Sequence, residues 1–213
     1  MADPARRVFG ALRILNQDGE VLSAGTLSGR TSADEAKPSL MSAIISPCGL
    51  YRLRLERTLD MLGGPTIGFC LHNPSTADAS RDDPTSRRGI GFARAWGASR
   101  LIYVNPWAGR ATKPADLWSM VDPVGPENDR YIAEAATECA ASGGFMVAAW
   151  GAVNPPRHLR EAAQKRIEAV AALIRACGCD LKALGVTSDG SPRHPLYVRA
   201  ETIPMPWSVS ARP

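Results

Sequence analysis

Two asparagines and one histidine stand in polar loops that follow apolar runs of the sequence. Asn73 comes shortly after residues 66–71, Asn105 comes directly after residues 101–104, and His194 lies in the loop T-S-D-G-S-P-R-H-P-L-Y. An asparagine amide carries both a donor and an acceptor, so it can orient a water molecule or read the edge of a nucleobase. A loop histidine can act as a general acid or donate a hydrogen bond to a developing anion. These residue types suit catalysis in which a leaving group departs as an anion.

The residues around the two asparagines have two interpretations each. Asn73-Pro74-Ser75 can be only a turn, because Asn and Ser side chains bond their own backbone and proline presets its dihedral. In the functional interpretation, Asn73 orients a water molecule or a substrate group, and the amides of the following loop accept an anionic or carbonyl oxygen. Trp107, close after Asn105, is the best candidate among the tryptophans for stacking on a base, and its alternative is packing in the core.

An acidic cluster and a pair of cysteines are the remaining candidates. Asp78, Asp82 and Asp83 can hold a magnesium ion, or they form a solvated loop paired with neighbouring arginines. Cys177 and Cys179 are separated by one residue and have no second pair, so we expect no zinc or iron–sulfur site. We therefore expect neither a metal nor a cofactor.

Four apolar runs are predicted to be buried strands, and three stretches between them are predicted to be helices. The strands are residues 66–71, 101–104, 145–150 and 181–186, and the helices are residues 87–96, 127–142 and 159–177. Strands that alternate with helices predict an α/β fold, in which a central, mainly parallel sheet of about four strands is covered on both faces. The carboxyl ends of such strands share one rim, where ligands bind, so Asn73, Asn105 and His194 can converge.

The chain is predicted to divide into an N-terminal extension or linker, residues 1–46, and a single α/β domain, residues 47–213. The first part alternates short apolar pieces with Gly, Ser and Asp, which is typical of loops. Residues 49–59 begin with alternating apolar and basic residues, which fits either an edge strand or the start of a helix.

The composition indicates a globular protein from a reducing compartment. The 213 residues are 45% hydrophobic and 22% charged, which allows a substantial core without disulfides. The five cysteines lack paired spacing, and no segment resembles a signal peptide or a membrane helix, so we expect a soluble cytoplasmic protein. The net charge of +4, carried mostly by arginine, is compatible with a nucleic acid or nucleotide as partner.

The order of several motifs resembles a bacterial and phage family described as domain of unknown function 1643. The motifs extend from Cys48 to Trp207 and read GLYR, LHNPSTAD, DDPTSRR, GFARAWG, VNPWAGRAT, DPVGPEND, AAWGA and TSDGSPRHPLYV. The resemblance covers about three-quarters of the chain. The family description implies no activity.

The same motif order is similar to that of the uracil-DNA glycosylase superfamily. There an apolar strand ends in a G-x-[DNE]-P type loop, a second ends in Asn, a third ends in an element such as L-W-G, and a final loop carries H-P-S. Here G-F-C-L-H-N-P-S, I-Y-V-N, A-A-W-G and R-H-P-L follow in that order. The resemblance implies that Asn73 positions water, Asn105 reads the base, His194 stabilises the leaving base and Phe92 stacks on the base.

The resemblance further implies a three-layer α/β/α fold and a nucleic acid substrate. The target base would be in a single strand or flipped from a duplex, because its glycosidic bond is unreachable in the stack. Further substrate and phosphate contacts would come from Pro74, Ser75, Trp107, Arg87, Arg88, Arg110 and Arg193. Two departures from the superfamily are that Asn73 replaces a carboxylate and that H-P-L-Y replaces H-P-S-P-L-S.

We therefore expect an enzyme that hydrolyses the N-glycosidic bond of a damaged or modified base in nucleic acid. Two alternatives stay open. One is a non-catalytic module that binds nucleotides or nucleic acid, and the other is a metal-assisted nucleotide hydrolase built on the acidic cluster. No obligate protein partner is expected.

Overall fold

A mixed sheet of seven strands forms the centre of the protein in the computed structural model, which describes residues 41–74, 82–111, 113 and 115–208. In chain order the strands are β1 (Met41–Ile45), β2 (Arg52–Thr58), β3 (Thr66–Cys70), β4 (Arg100–Val104), β5 (Phe145–Ala148), β6 (Leu181–Ala183) and β7 (Met205–Pro206). From one edge of the sheet to the other, their order is β1-β2-β4-β3-β5-β6-β7. The fold class is therefore α/β, built on one mixed sheet.

The four strands predicted from the apolar runs are confirmed, and they form the centre of this sheet. β4, β3, β5 and β6 are neighbours in that order and pair in parallel. The prediction of about four mainly parallel strands needs correction, because β1, β2 and β7 add antiparallel pairs on both sides. Residues 49–59, for which the sequence left strand and helix open, contain β2, which is an interior strand.

The first strand of the sheet lies inside residues 1–46, the predicted extension. β1 pairs with β2 from Met41 opposite Arg57 to Ile45 opposite Arg52. It thereby occupies the edge that β2 would otherwise expose. Residues 1–40 of the predicted extension lie outside the described residues.

Helices were predicted between the parallel strands, and the described residues contain all three of them: α1 (Pro84–Ala95), α2 (Asn128–Ala141) and α3 (Arg160–Ala176). At the start of α1, the Asp83 side chain accepts a hydrogen bond from the Ser86 backbone N–H at 2.7 Å. Such a cap favours a helix start, because it satisfies a backbone donor that has no partner within the helix. Within the described residues, no helix combines the length and apolarity that a membrane crossing requires.

Apolar side chains alternate between the two faces of the parallel strands, so each face has its own core. Phe69 and Tyr103 pack with Phe92 of α1 on one face. Ile102 and Met146 belong to the core of the other face, which also contains residues of α2 and α3. Helices therefore cover both faces of the central strands.

The order of the parallel strands creates a switch point at the carboxyl ends of β3 and β5. Numbered in chain order, the four parallel strands lie 2-1-3-4 across the sheet. The chain leaves β3 toward one side and later crosses to its other side to form β5, so the loops after β3 and β5 diverge. Open α/β sheets bind ligands in the crevice outside such a point.

Three arginines of β2 are buried, and two of them tie the strand to helices. Arg54 donates from Nη1 and Nη2 to the two carboxylate oxygens of Glu138 on α2, at 2.8 and 2.7 Å. Arg57 donates from Nε to Asp82, just before α1, at 2.9 Å. The third, Arg52, begins the strand near the switch point.

Candidate functional site

A cleft of about 690 Å³ lies at the switch point of the sheet. The loop after β3, the start of α1, the loop after β5 and the loop after β6 all contribute to its walls. Its polar lining includes Arg52, His72, Asn73, Asp83, Arg193 and His194. Ligand sites of proteins commonly enclose roughly 300–1,000 Å³, so this cleft has the size for a nucleotide.

His194 lines the cleft, and a backbone hydrogen bond determines which of its two ring nitrogens carries the proton. It precedes a short 3₁₀ turn, Pro195–Tyr197, and its Nδ1 accepts the backbone N–H of Leu196 at 3.4 Å. A neutral imidazole that accepts at Nδ1 carries its proton on Nε2, which is then the donor for a ligand. Burial lowers the pKa of His194 below its ordinary value, although the Asp83 carboxylate acts in the opposite direction. The ring is therefore a neutral donor near pH 7.

The loop after β5 approaches His194 at Gly151. Gly151 has a φ of 72°, and a Cβ atom there would lie 3.4 Å from Cβ of His194. Glycine adopts this left-handed conformation at little cost and adds no side chain between the two loops. The A-A-W-G element thus lets the backbone after β5 pack beside the histidine.

Asn73 lines the same cleft, with its amide group oriented by two carbonyl oxygens. Its Nδ2 donates to the backbone oxygens of Pro74 and Ala111, both at 3.0 Å. Both hydrogens of the amide group are therefore used in these two bonds, and within the described residues Oδ1 is available as a hydrogen-bond acceptor. An acceptor of this kind can hold a water molecule by one of its hydrogens.

Asn105 lies behind the cleft wall, although the sequence places it at the end of β4. It is 1% exposed; its Nδ2 donates to the Leu71 carbonyl at 2.9 Å, and its Oδ1 accepts from Arg52 Nη2 at 3.4 Å. Because it is buried and bonded on both sides of its amide, Asn105 is not placed to contact a base directly, contrary to the prediction. Arg52 lines the cleft in its place, and Asn105 helps to orient the guanidinium.

The environment of Arg52 shows how a cation is kept at the cleft wall. Burial lowers the pKa of Arg52 to about 10, and the charge of Asp83 acts against this shift. The group stays protonated at neutral pH and can donate to carbonyl or phosphate oxygens.

His72 is a second histidine in the cleft. Its ring packs edge-on against Trp107, with centroids 5.2 Å apart. Burial, together with the proximity of His194, lowers the pKa of His72 to about 4. Its Nε2 is buried, and the described residues provide it with no hydrogen-bond partner. His72 is therefore a neutral polar group at neutral pH.

The predicted stacking residues are in the core. Phe92 is 2% exposed and stacks on Trp96, with centroids 5.3 Å apart. Trp107 is also 2% exposed, and it supports His72 from behind. Pro74 is buried, with its carbonyl oxygen bonded by Asn73, and Ser75 lies outside the described residues. Phe92 and Trp107 therefore serve packing in the core.

One of the four arginines predicted as phosphate contacts lines the cleft, namely Arg193, whose Nε donates to the Val186 carbonyl at 3.1 Å. Arg88 donates to the carbonyls of Pro195 and Val198 and so ties α1 to the turn that follows His194. The other two are exposed and bond backbone oxygens: Arg87 that of Asp82, and Arg110 that of Gly49.

The acidic cluster is only partly described. Asp82 is engaged by Arg57, Asp83 caps α1, and Asp78 lies outside the described residues. Within the part of the chain that the structure describes, no group of three or more His, Cys, Asp or Glu side chains could hold a metal ion.

Sequence reasoning did not place Arg52 and His72 among the site residues, and it considered Asp83 only as a member of the acidic cluster, not as a residue of this cleft. The sequence does contain signals for two of them. Asp83 stands directly before Pro84, which is a helix-start pattern and places a carboxylate at the mouth of the sheet. His72 precedes Asn73 at the end of a buried strand. No local signal distinguishes Arg52 from Arg54, because both belong to the same alternating segment.

Comparison with known proteins identifies a family. The family model described as "Protein of unknown function (DUF1643)" matches residues 52–196. The matched segment begins at Arg52 and ends at Leu196, so it contains Asn73, Asp83 and His194. No curated protein and no solved structure matches the sequence.

Proposed function

Because the chain belongs to the DUF1643 family, whose description states no activity, we propose a function from the site itself: hydrolysis of the N-glycosidic bond of a base in nucleic acid. The base would be damaged or modified, and the enzyme would act without a cofactor. The proposal includes a likeness to the uracil-DNA glycosylase superfamily in fold, with α1 on one side of the parallel strands and α2 and α3 on the other as the three layers.

The observation that carries the proposal is the state of His194. His194 lines the cleft, and its neutral ring carries the proton on Nε2, because Nδ1 accepts the Leu196 N–H and burial disfavours the charged form. When a glycosidic bond breaks, its electron pair leaves with the base, and negative charge develops on a base oxygen. A neutral, fixed N–H donor stabilises that charge without transferring a proton to the base.

Asn73 is suited to hold the attacking water. Its committed Nδ2 leaves Oδ1 to accept one hydrogen of a water molecule whose lone pair then faces the sugar carbon. The carbon–nitrogen bond breaks through an oxocarbenium-like sugar, and the water oxygen then bonds to that carbon and releases a proton. Asn73 is neutral, so it orients the water and does not take this proton, which passes to bulk water; the departed base anion takes up a proton from solvent.

Asp83 supplies a carboxylate, which the Asn73 side chain does not. It lines the cleft, and it is near enough to Arg52 and His194 for its charge to affect the pKa of both. A carboxylate in this position can stabilise the cationic sugar electrostatically. One of its oxygens stays bound to the Ser86 N–H at the start of α1, which keeps the side chain in place.

Arg52 is the candidate for base recognition. A buried guanidinium held by Asn105 presents donors only, so it favours bases with carbonyl oxygens over bases with amino groups at the same edge. Uracil, hypoxanthine, xanthine and hydroxymethyluracil all carry such oxygens. Arg193, at the exposed side of the cleft, is placed to contact a phosphate.

The test is release of free base from single-stranded and duplex oligonucleotides that contain one of these four bases, in the presence of EDTA. We expect His194→Ala to lower the rate by about 100-fold or more, because one anion-stabilising donor is worth that much. Oligonucleotide affinity should stay within about twofold. His158→Ala, an exposed histidine away from the cleft, is the matched control and should have no effect.

Three outcomes would contradict the proposal. Equal losses of turnover and affinity in His194→Ala would assign that residue to binding. Retained binding with no release of any base would indicate a non-catalytic module. Hydrolysis of nucleotides that disappears with EDTA would indicate a metal-assisted hydrolase that uses the acidic cluster.

A further inference from the structure

A second cavity of about 230 Å³ lies beside the cleft on the same rim of the sheet, at the ends of β5 and β6. Trp150 lines both spaces. The loop after β6 contributes Thr187 and Arg193 to the cleft and residues 189–192 to the cavity. Molecules in the two spaces would therefore be separated by about one side chain.

The lining of this cavity combines aromatic, amide and cationic groups. Trp150 and Trp207 meet edge to face, with centroids 5.2 Å apart. Asn154 and Gln164 add amides, and Arg160 adds a positive charge at the start of α3. Such groups stack on bases, bond base edges and contact phosphates. The cavity thus has the chemistry of a nucleotide site.

Gln164 retains hydrogen-bonding capacity toward a ligand, and Trp207 contributes its ring to the cavity lining. Trp207 is 9% exposed, and its indole N–H has no hydrogen-bond partner within the described residues. Gln164 uses Nε2 to donate to Glu168 at 2.8 Å, so its carbonyl oxygen remains an acceptor. The Gln164 carbonyl oxygen can therefore accept a hydrogen bond from the edge of a base.

The wall between the two spaces is a turn fixed by its own hydrogen bonds. The Thr187 N–H donates to the Ser191 carbonyl at 2.8 Å, and the Gly190 N–H donates to the Thr187 carbonyl at 2.9 Å. The Asp189 carboxylate accepts the Ser191 N–H at 3.2 Å. Asp189 thus helps to hold the turn that sets the spacing between the cleft and the cavity.

We propose that the second cavity holds a nucleotide that flanks the target on the same strand, so that the substrate is a polynucleotide and not a free nucleoside or nucleotide. This inference rests on the proposed function, which places the target nucleotide in the cleft. A free nucleotide would fill the cleft alone, whereas a strand continues along the rim into a neighbouring space with matching chemistry.

The experiment compares oligonucleotides that differ only beside the target. One carries intact nucleotides on both sides; two others carry a baseless tetrahydrofuran residue at the 5′ or at the 3′ neighbour. Base release and affinity, the latter by fluorescence anisotropy, are measured for each oligonucleotide and for the corresponding free nucleoside monophosphate. We expect one of the two baseless neighbours to weaken affinity by about tenfold, since stacking of one base contributes that much.

Variants assign this effect to the cavity. Gln164→Ala should remove most of the preference for an intact neighbour and leave the baseless substrate unaffected. Arg160→Ala should weaken the affinity for both substrates, because the baseless residue keeps its phosphate. Lys165→Ala is the matched control, because it removes an exposed charge from α3 at a residue outside the cavity lining. Trp207→Phe keeps an aromatic ring in the cavity lining, so it should retain most of the preference.

The outcomes separate this inference from the proposed function. Base release that is equal for intact and baseless neighbours overturns the second site and leaves the glycosylase intact. A preference that persists in Gln164→Ala, or an Arg160→Ala variant that binds both substrates as tightly as the wild type, also overturns it, because the neighbour then binds elsewhere. If no base is released from any substrate, the proposed function fails, and the affinity ratios still decide whether the cavity binds a neighbouring nucleotide.

Discussion

Arg52 and Arg54 are two residues apart in β2, equally buried, and used in different ways. Their exposed fractions are 3% and 4%. Arg54 bonds both oxygens of Glu138 on α2. Arg52 bonds the amide oxygen of Asn105 and lines the cleft. The same strand thus supplies one guanidinium that stabilises the fold and a second guanidinium that lines the candidate site.

The pKa values of the two arginines move in opposite directions. Burial disfavours the charge of Arg54, but its hydrogen bonds to Glu138 and the charges of Glu56 and Glu138 raise its pKa above the ordinary value. Burial lowers the pKa of Arg52 to about 10 in spite of Asp83. A buried cation whose charge is compensated by carboxylates stabilises the fold. Arg52 instead lines the cleft, where a guanidinium can donate to an electron-rich ligand.

The largest expected effect is on stability, in Arg54→Met. The change leaves Glu138 and Glu56 with Arg100 as their remaining ion-pair partner in the described residues. Removing one member of a buried ion pair costs about 3–5 kcal/mol, and partial exposure of Glu138 places the expected loss in unfolding free energy at about 3 kcal/mol. Urea denaturation measures it.

A second variant separates charge from packing in this prediction. Arg54→Met combined with Glu138→Leu removes both charges of the pair and should recover at least half of the lost stability, because apolar replacement of a whole pair is often neutral. A loss below about 1 kcal/mol in the single variant would show that the network contributes no more than a surface ion pair.

The second prediction concerns Arg52→Met, which should damage function more than stability. Loss of a charged donor to a base oxygen is expected to lower kcat/KM for base release by about 100-fold. The unfolding free energy should fall by about 1 kcal/mol, because methionine fills the space without a buried charge but leaves the buried Oδ1 of Asn105 without this donor. Arg52→Lys keeps the charge without the planar fork, and it should recover only part of the activity.

The different roles assigned to the two arginines are contradicted if Arg52→Met and Arg54→Met have the same effects on stability and on base release. A stability loss in Arg52→Met as large as that in Arg54→Met, with base release intact, would make Arg52 a structural residue. The base-release assay and the urea titration therefore have to be run on the same two proteins.

The sequence was sufficient to predict the four central strands and the helices between them. Their signal is local: apolar runs of strand length end in Asn-Pro or Gly, and helical stretches lie between them. The switch-point rule then brings Asn73 and His194 to one rim without any knowledge of side-chain contacts.

The rest depends on contacts between distant segments. Arg52 differs from Arg54 through Asn105, on another strand, and Phe92 differs from a stacking platform only because α1 turns it inward. β7 has two residues, Met205–Pro206, which is too short for a periodic pattern. Such features depend on tertiary packing, which the local sequence pattern does not predict.

The third prediction tests whether Asn105 acts through Arg52. Asn105→Ala removes the acceptor for Arg52 and the donor to the Leu71 carbonyl, so base release should fall about tenfold and discrimination between bases should weaken. Asn128→Ala is the matched control, because Asn128 is also buried and donates to the carbonyls of Asn105 and Pro106. It should lower stability and leave the ratio of kcat/KM between two bases unchanged. An altered ratio in both variants would indicate general loosening of the loop.

The smallest effect is the pH dependence of stability, which distinguishes the two arginines without an activity assay. Hydrogen bonding to Arg54 holds the pKa of Glu138 below its ordinary value of 4.5. A carboxylate with a depressed pKa contributes stability that is complete above pH 4.5 and is lost as the pH falls through the lower folded value. The gap in unfolding free energy between wild type and Arg54→Met should therefore narrow below pH 4.5.

Arg52→Met provides the control for this titration. Below pH 4.5 its unfolding free energy should fall with pH at the same rate as that of the wild type. His72 and His194 also have lowered pKa values, so their protonation favours unfolding as the pH falls below 6.5. Since both histidines are retained in all three proteins, their contribution largely cancels in the difference between wild type and Arg54→Met. A gap that stays constant from pH 6 to pH 3 would mean that Arg54 stabilises the fold through packing of its side chain and not through the charge of Glu138.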